Sequence, residues 1–548
     1  MNVHLIVASR ANAVTRALTP ANAKRWALPA MAVAAAALAA WLSGRLPTFV
    51  DETVMLETGW LMAEGSILYR DLFSHHFPLP YLWTAAVIDL VGPSRGLVRL
   101  SIWLLLPMTA LALTRTTRFR ASLWVFVLCW TIIRVMVHGH MAMYVAWSTT
   151  ACWALFVLGV SMLDDGIRSR AGAALMVGVL SAVALLTDPL SVYVVAATGI
   201  VLLRSGMRTT LIALAAACGT SAVVLGALAA DGAVVAFFDQ AIAFNRVYSA
   251  KYVGMDGLRL DRLAQVALAL LGLGDPIWRN ANPLRAATLG YGEFDVWLLA
   301  GVAYRVALLG ASLRWLVARR PLDAAWLYGI AVAAQANDTI GFRAGSLASM
   351  GVFVLVALVC REWPAGRRDG RAGLGWRLPS AWSAERTTQA RRILSLGAST
   401  LAGLTLAWLV ARSSGYAFSP HRVAELGGQW AFDGYEAARL EALACQADAV
   451  QLGYWPAGSA AYHRTGFRPV AGYVALWPWI AEHGLPRVLD ALARDDARAI
   501  VVIQDTKVWD RWDTREYLAP LRAMLDATYV HVGDATWVSP VLSERCAP

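Results

Sequence analysis

Long apolar runs, each closed by a short cluster of arginines, recur along most of the chain. Runs near 26–46, 97–114, 121–137, 141–162, 171–187, 189–203, 208–230, 296–317, 322–338, 344–360 and 393–411 each suit a helix crossing the hydrocarbon of a bilayer, giving eleven spans. Residues 79–91 are apolar but too short to cross, and they end at Gly92-Pro93, so they suit a helix lying in the interface. A similar short piece, 263–274, is expected to be re-entrant or interfacial.

The arginines test this pattern. Arg115, Arg118 and Arg120, then Arg168 and Arg170, Arg204 and Arg208, Arg314, Arg319 and Arg320, and the series Arg367 to Arg392 all fall on one side if the N-terminus lies inside. The expected topology therefore puts the N-terminus in the cytoplasm and the C-terminus outside, in a multi-pass protein of the bacterial inner (plasma) membrane. The large outer segments are then 47–96, 231–295 and the tail from 412.

From Arg412 the pattern changes. Helical stretches near 435–444, 485–494 and 514–526 alternate with the apolar pieces 449–452, 499–503 and 529–532. This predicts a small extracytoplasmic (periplasmic) α/β domain over 412–548, after a transmembrane domain over 1–411.

Composition agrees. The 548 residues are 58% hydrophobic and 16% charged, with a mean hydropathy of +0.52, which excludes a soluble globular enzyme. The net charge of +11 belongs to the inner loops, so no nucleic acid is expected as a partner. Cys129, Cys152, Cys218 and Cys360 lie in apolar runs and read as small core residues, whereas Cys445 and Cys546 share the tail, where pairing and free thiols are both open.

The chemistry concentrates in the first outer loop. Asp51 and Glu52 stand together just beyond the first span, and an ionisable residue at that depth is costly unless it is solvated, paired or used. The competing reading is that both begin a solvated loop or cap a helix. Arg99, entering the second span, reads as structural, paired with an acid of this loop.

Asp51-Glu52, Gly65, Tyr69-Arg70-Asp71, the turn His76 to Leu79, Gly92 and Arg99 follow one another in an order that resembles the C-type (GT-C) polyprenyl-linked glycosyltransferases. These include the protein O-mannosyltransferases, the lipid A aminoarabinose transferase and related lipopolysaccharide sugar transferases. The resemblance implies a GT-C-like helical membrane enzyme that moves a sugar from a polyprenyl phosphate to a cell-envelope glycan, lipid or protein, with inversion. It makes Asp51 the general base and Glu52 its neighbour that orients the acceptor or tunes the base. Tyr69 and His76 would then contact substrate.

An anionic leaving phosphate needs cations more than a proton. On the outer side the sequence offers Arg246, Lys251 and Arg343, with interfacial snorkelling as the competing role for each. Relatives often carry Thr-Lys at the outer end of a middle helix, where this chain has Thr187-Asp188-Pro189. That departure weakens the cation assignments. His75, His138, His140 and Asp188 share the outer face, so a divalent metal is an open alternative, although their spacing is not diagnostic. Aromatics in the tail, Tyr454-Trp455-Pro456, Tyr462-His463 and Trp477-Pro478-Trp479, suit either sugar stacking or anchoring at the membrane surface.

The class that competes with an enzyme is a transporter or flippase of lipid-linked sugars. It would place ionisable groups near the bilayer midplane rather than at one outer face.

Overall fold

The computed structural model describes residues 20–43, 50–138, 142–164, 166–249, 321–337, 344–363, 449–456, 461–508, 511–533 and 535–543, with isolated helical positions at 251, 307, 310–312, 315–316, 400, 402–404 and 407. The helices α1 (Pro20–Ser43), α2 (Val50–Ala63), α3 (Leu79–Val91), α4 (Arg95–Thr116), α5 (Arg120–His138), α6 (Ala142–Leu163), α7 (Arg170–Thr187), α8 (Val192–Arg204) and α9 (Met207–Ala230) form the body of the molecule. They are followed by α10 (Val234–Phe237), which runs on into π-helical turns over Phe238–Ala243 and Asn245–Ser249, and then by α11 (Pro321–Asn337) and α12 (Ala344–Val359). Most of the expected spans therefore coincide with helices. The runs near 296–317 and 393–411, the piece at 263–274 and the tail helix near 435–444 lie largely or wholly outside the described residues.

The expectation of eleven crossings is met only in part. Among the described residues, four helical segments are long and apolar enough to cross a bilayer: Arg95–Thr116, Ala146–Leu163, Arg170–Thr187 and Met207–Ala230. Five more apolar helical segments, among them Leu79–Val91 and Val192–Arg204, are shorter. The segment Ala146–Leu163 is 89% buried and forms the centre of the bundle, whereas Met207–Ala230 is 17% buried and turns most of its apolar surface outward. A soluble core helix would not leave Leu211, Leu214 and Val223 exposed along its length, but a helix facing lipid tails does.

Small residues allow close packing in this bundle. A Cβ at Gly178 of α7 would stand 2.1 Å from the Ala213 carbonyl oxygen of α9, so only glycine permits that approach. In the core, Phe126 stacks on Trp153 with ring centres 4.4 Å apart.

Polar contacts collect at the two ends of the bundle. At one end Arg118 pairs with Asp164, the Glu362 carboxylate accepts the Ser122 N–H and hydroxyl, and Thr117 bridges to Ile167. The other end carries the segment 64–78, Asp188, Asp231 and the π-helical turns.

The C-terminal α/β region exists, as the alternating pattern predicts. Its five-stranded sheet has the order β2-β1-β3-β7-β6, with β1 (Gln451–Trp455), β2 (Arg468–Pro469) and β3 (Ala499–Ile503) parallel, and β7 (Thr536–Val538) and β6 (Val530–Gly533) antiparallel to their neighbours. A smaller hairpin pairs β4 (Lys507–Val508) with β5 (Trp512–Asp513). The five residues of β3 are all buried, which is why that strand reads as an unbroken apolar run. Packed around the sheets are α13 (Ala461–Thr465), α14 (Pro478–Leu492), α15 (Thr514–Tyr517), α16 (Ala519–Thr528) and α17 (Pro540–Ser543).

Tyr454, Trp455, Tyr462 and Trp479 have a different use from either expected role. Trp455 and Tyr462 are wholly buried and Trp479 is 5% exposed. The Trp455 indole N–H donates to the Tyr473 carbonyl oxygen at 3.1 Å, and the Tyr454 N–H donates to the Tyr462 hydroxyl. These rings build the core of the region and are not presented as a stacking surface. Cys445 and Cys546 lie outside the described residues.

Candidate functional site

Asp51 and Glu52 belong to the first turn of α2 and not to a loop. The local sequence hid this helix, because Val50-Asp51-Glu52-Thr53 opens it with polar groups and Glu57-Thr58 interrupts its apolar face. Those polar groups turn inward. Glu52, Thr53, Glu57 and Thr58 are all buried.

Glu52 meets Arg99 of α4 in a two-pronged ion pair. Arg99 Nε donates to Glu52 Oε1 and Arg99 Nη2 to Glu52 Oε2, both at 2.6 Å, and both side chains are fully buried. The guanidinium fork matches the carboxylate plane, so the pair fixes the rotation of α2 against α4. The acid partner expected for Arg99 is thus Glu52. With both oxygens so engaged, Glu52 is held as a positioning group for the residues beside it. Asp51 precedes it in the same helical turn, and its side chain lies outside the described set.

The segment between α2 and α3 is built from tight local bonds. The Ser66 N–H donates to the Leu61 carbonyl oxygen and the Gly65 N–H to that of Met62, with Gly65 at φ +93°, which closes α2 in a glycine-capped turn. The Asp71 carboxylate then accepts the Ile67 N–H at 2.8 Å and the Arg70 guanidinium at 3.0 and 3.1 Å, which holds its carboxyl below the usual range.

Tyr69 was expected to touch substrate. The structure places it 2% exposed at φ +68°, with its hydroxyl donating to the His76 carbonyl oxygen at 2.7 Å. Its hydroxyl therefore shapes the segment, and burial raises its pKa well above that of a free phenol.

Two side chains from the π-helical turns lock this segment from outside. Gln240 accepts the Ser74 N–H at 3.0 Å and donates to the Tyr69 carbonyl oxygen at 2.6 Å. Asn245 donates to the His75 carbonyl oxygen at 2.6 Å. The π-helical turn gives these side chains their direction, a local irregularity that is frequent at functional sites. No feature of the sequence announces either residue.

His75 and His76 lie against each other, their ring centres 4.1 Å apart. Burial depresses both. His75 is pushed well below its ordinary value by burial and by His76, and His76 is pushed down to about 4 by burial, opposed by the charge of Asp188. His76 and Asp188, read separately in the sequence, are therefore electrostatic neighbours.

The C-terminal region completes the site. The Phe73 N–H donates to the Gly472 carbonyl oxygen at 3.0 Å, and the Phe73 ring stacks on Tyr473 at 5.0 Å. Glu57 of α2 accepts the His463 N–H at 2.8 Å. Gly472 has φ +81°, and a Cβ there would lie 2.3 Å from the Asp71 carbonyl oxygen. Phe244 between the two π-helical turns, Tyr248 of the second and His483 of α14 close an aromatic cluster around Phe73.

The expected cations are placed unevenly. Lys251 pairs with Glu482 of α14 at 2.7 Å, so it joins the C-terminal region to the body. Arg246 is exposed on the last π-helical turn. Arg343 lies outside the described residues. For a metal, no group of three candidate ligands is found among the described residues. The His138 side chain and His140 lie outside that set.

No known protein family model, curated protein or solved structure matches the chain.

Proposed function

We propose that this chain is a membrane glycosyltransferase of the C type, which moves a sugar from a polyprenyl phosphate to a cell-envelope glycan, lipid or protein. The observation that supports it best is the buried Glu52–Arg99 pair, which holds the turn bearing Asp51 at the end of the bundle where the packed segment 64–78 and the C-terminal region meet. A general base needs a fixed position more than it needs strength when the leaving group is already an anionic phosphate.

In the proposed reaction Asp51 accepts the proton of an acceptor hydroxyl as its oxygen attacks the anomeric carbon. The bond from that carbon to the phosphate oxygen breaks on the opposite face, which inverts the centre, and the polyprenyl phosphate leaves with the electron pair. Arg246, exposed on the last π-helical turn, is assigned to that phosphate in this reading. Glu52 serves by holding the helix.

The test compares envelope glycans by mass spectrometry in a deletion strain, in that strain complemented with wild type, and in that strain complemented with Asp51→Asn at equal expression. Loss of a single sugar that wild type restores and Asp51→Asn does not is the expected result. Full restoration by Asp51→Asn removes Asp51 as the base and favours a transporter of lipid-linked sugars.

A further inference from the structure

The opposite end of the bundle carries a cavity of about 420 Å³ that the proposed reaction does not use. Its apolar lining comes from Met162, Leu163, Ile167 and Val201, and its polar lining from Arg170, Arg204, Ser205, Thr209 and Asp323. Three helix ends converge there. Arg170 opens α7, Arg204 closes α8, and Thr209 lies in the first turn of α9.

The arrangement has the parts of an anion site. Arg170 and Arg204, both exposed, line one cavity, and the positive end of α9 lies beside them, beginning at Gly206 with no capping side chain. Thr209 adds a hydroxyl donor of the kind that completes a phosphate's coordination, while the Ser205 hydroxyl already donates to the Val201 carbonyl oxygen. Two arginines against the single carboxylate of Asp323 leave a net positive lining suited to one phosphate group. Arg118, the neighbouring arginine at this end, is neutralised by Asp164. A lining that joins apolar and cationic residues matches a headgroup attached to acyl chains better than a soluble anion.

We propose that this cavity binds the phosphate headgroup of a membrane phospholipid, with Arg170 and Arg204 on the phosphate and the first acyl carbons over Ile167 and Val201. The site stands apart from the proposed catalytic end and does not depend on that activity.

Native mass spectrometry of the full chain in detergent tests it, with phosphatidic acid, diacylglycerol of the same acyl chains, and inorganic phosphate as separate probes. Wild type is expected to retain one phosphatidic acid at concentrations where diacylglycerol does not bind, and the Arg170→Gln/Arg204→Gln variant to bind it at least tenfold more weakly. An Arg170→Lys/Arg204→Lys variant keeps the charge and is expected to fall between them, because lysine lacks the fork. Stabilisation of wild type against heat by inorganic phosphate as strongly as by phosphatidic acid overturns the lipid as the source of the phosphate. Equal retention of phosphatidic acid and diacylglycerol by wild type overturns the site without reference to any variant.

Discussion

Removing one partner of the Glu52–Arg99 pair is the sharpest perturbation the structure suggests. At 2.6 Å the gross attraction between the charges is about 6 kcal/mol at an effective dielectric of 20. Much of that offsets the desolvation of two fully buried ions, so the net worth of the pair is small. Glu52→Gln leaves the Arg99 guanidinium buried without its counter-charge, and the expected loss is about 3–5 kcal/mol. Arg99→Met leaves the carboxylate stranded at a similar cost. The double replacement Glu52→Leu with Arg99→Met removes both charges and is expected to lose less than either single change. The assay is reversible unfolding of the purified chain in mixed micelles, read as a double-mutant cycle. Single losses below about 1 kcal/mol would refute the reasoning, since they are what an exposed pair gives.

Three further outcomes follow from the same contacts. Gln240→Leu strands the Ser74 N–H and the Tyr69 carbonyl oxygen, costing about 1–3 kcal/mol for each group, and faster amide exchange confined to 66–77 is its expected signature. Gly472→Ala forces a Cβ against the Asp71 carbonyl oxygen at a left-handed φ, so the C-terminal region is expected to lift from α2 and become sensitive to limited proteolysis while its own sheet survives. His76 binds its proton more weakly in the folded chain than in the unfolded one. Its contribution to stability is therefore complete above about pH 6.5 and falls as the pH drops toward 4; amide protection factors in the His75–His76 segment should fall over that interval, and less so in His76→Gln.

Much of the architecture was legible because it depends on local pattern. Apolar runs placed most helices, and the unbroken Ala-Ile-Val-Val-Ile placed the central strand of the tail. α2 escaped because its buried face carries Glu52, Thr53, Glu57 and Thr58, and a polar residue paired inside a protein looks in sequence like one in water. Lys251 looked like a free cation for the same reason, since its partner Glu482 stands 231 positions away. Gln240 reaches Tyr69 across 171 positions, and no local signal carries such a bond. The tail aromatics were ambiguous in kind, because a ring that packs a core and a ring that stacks on a sugar have the same composition.

The bond from His463 to Glu57 joins groups 406 positions apart. At about 5–20 residues per second of synthesis, α2 waits roughly 20–80 s between its own emergence and that of its partner. Through that interval the Glu57 carboxylate and the Phe73 N–H stand without the tail's groups that meet them in the finished molecule. A nascent chain halted before the tail thus carries a first segment that lacks the partners of Glu57 and Phe73. The contacts that complete the segment 64–78 and α2 can therefore form only once residues 463 and 472 have been made.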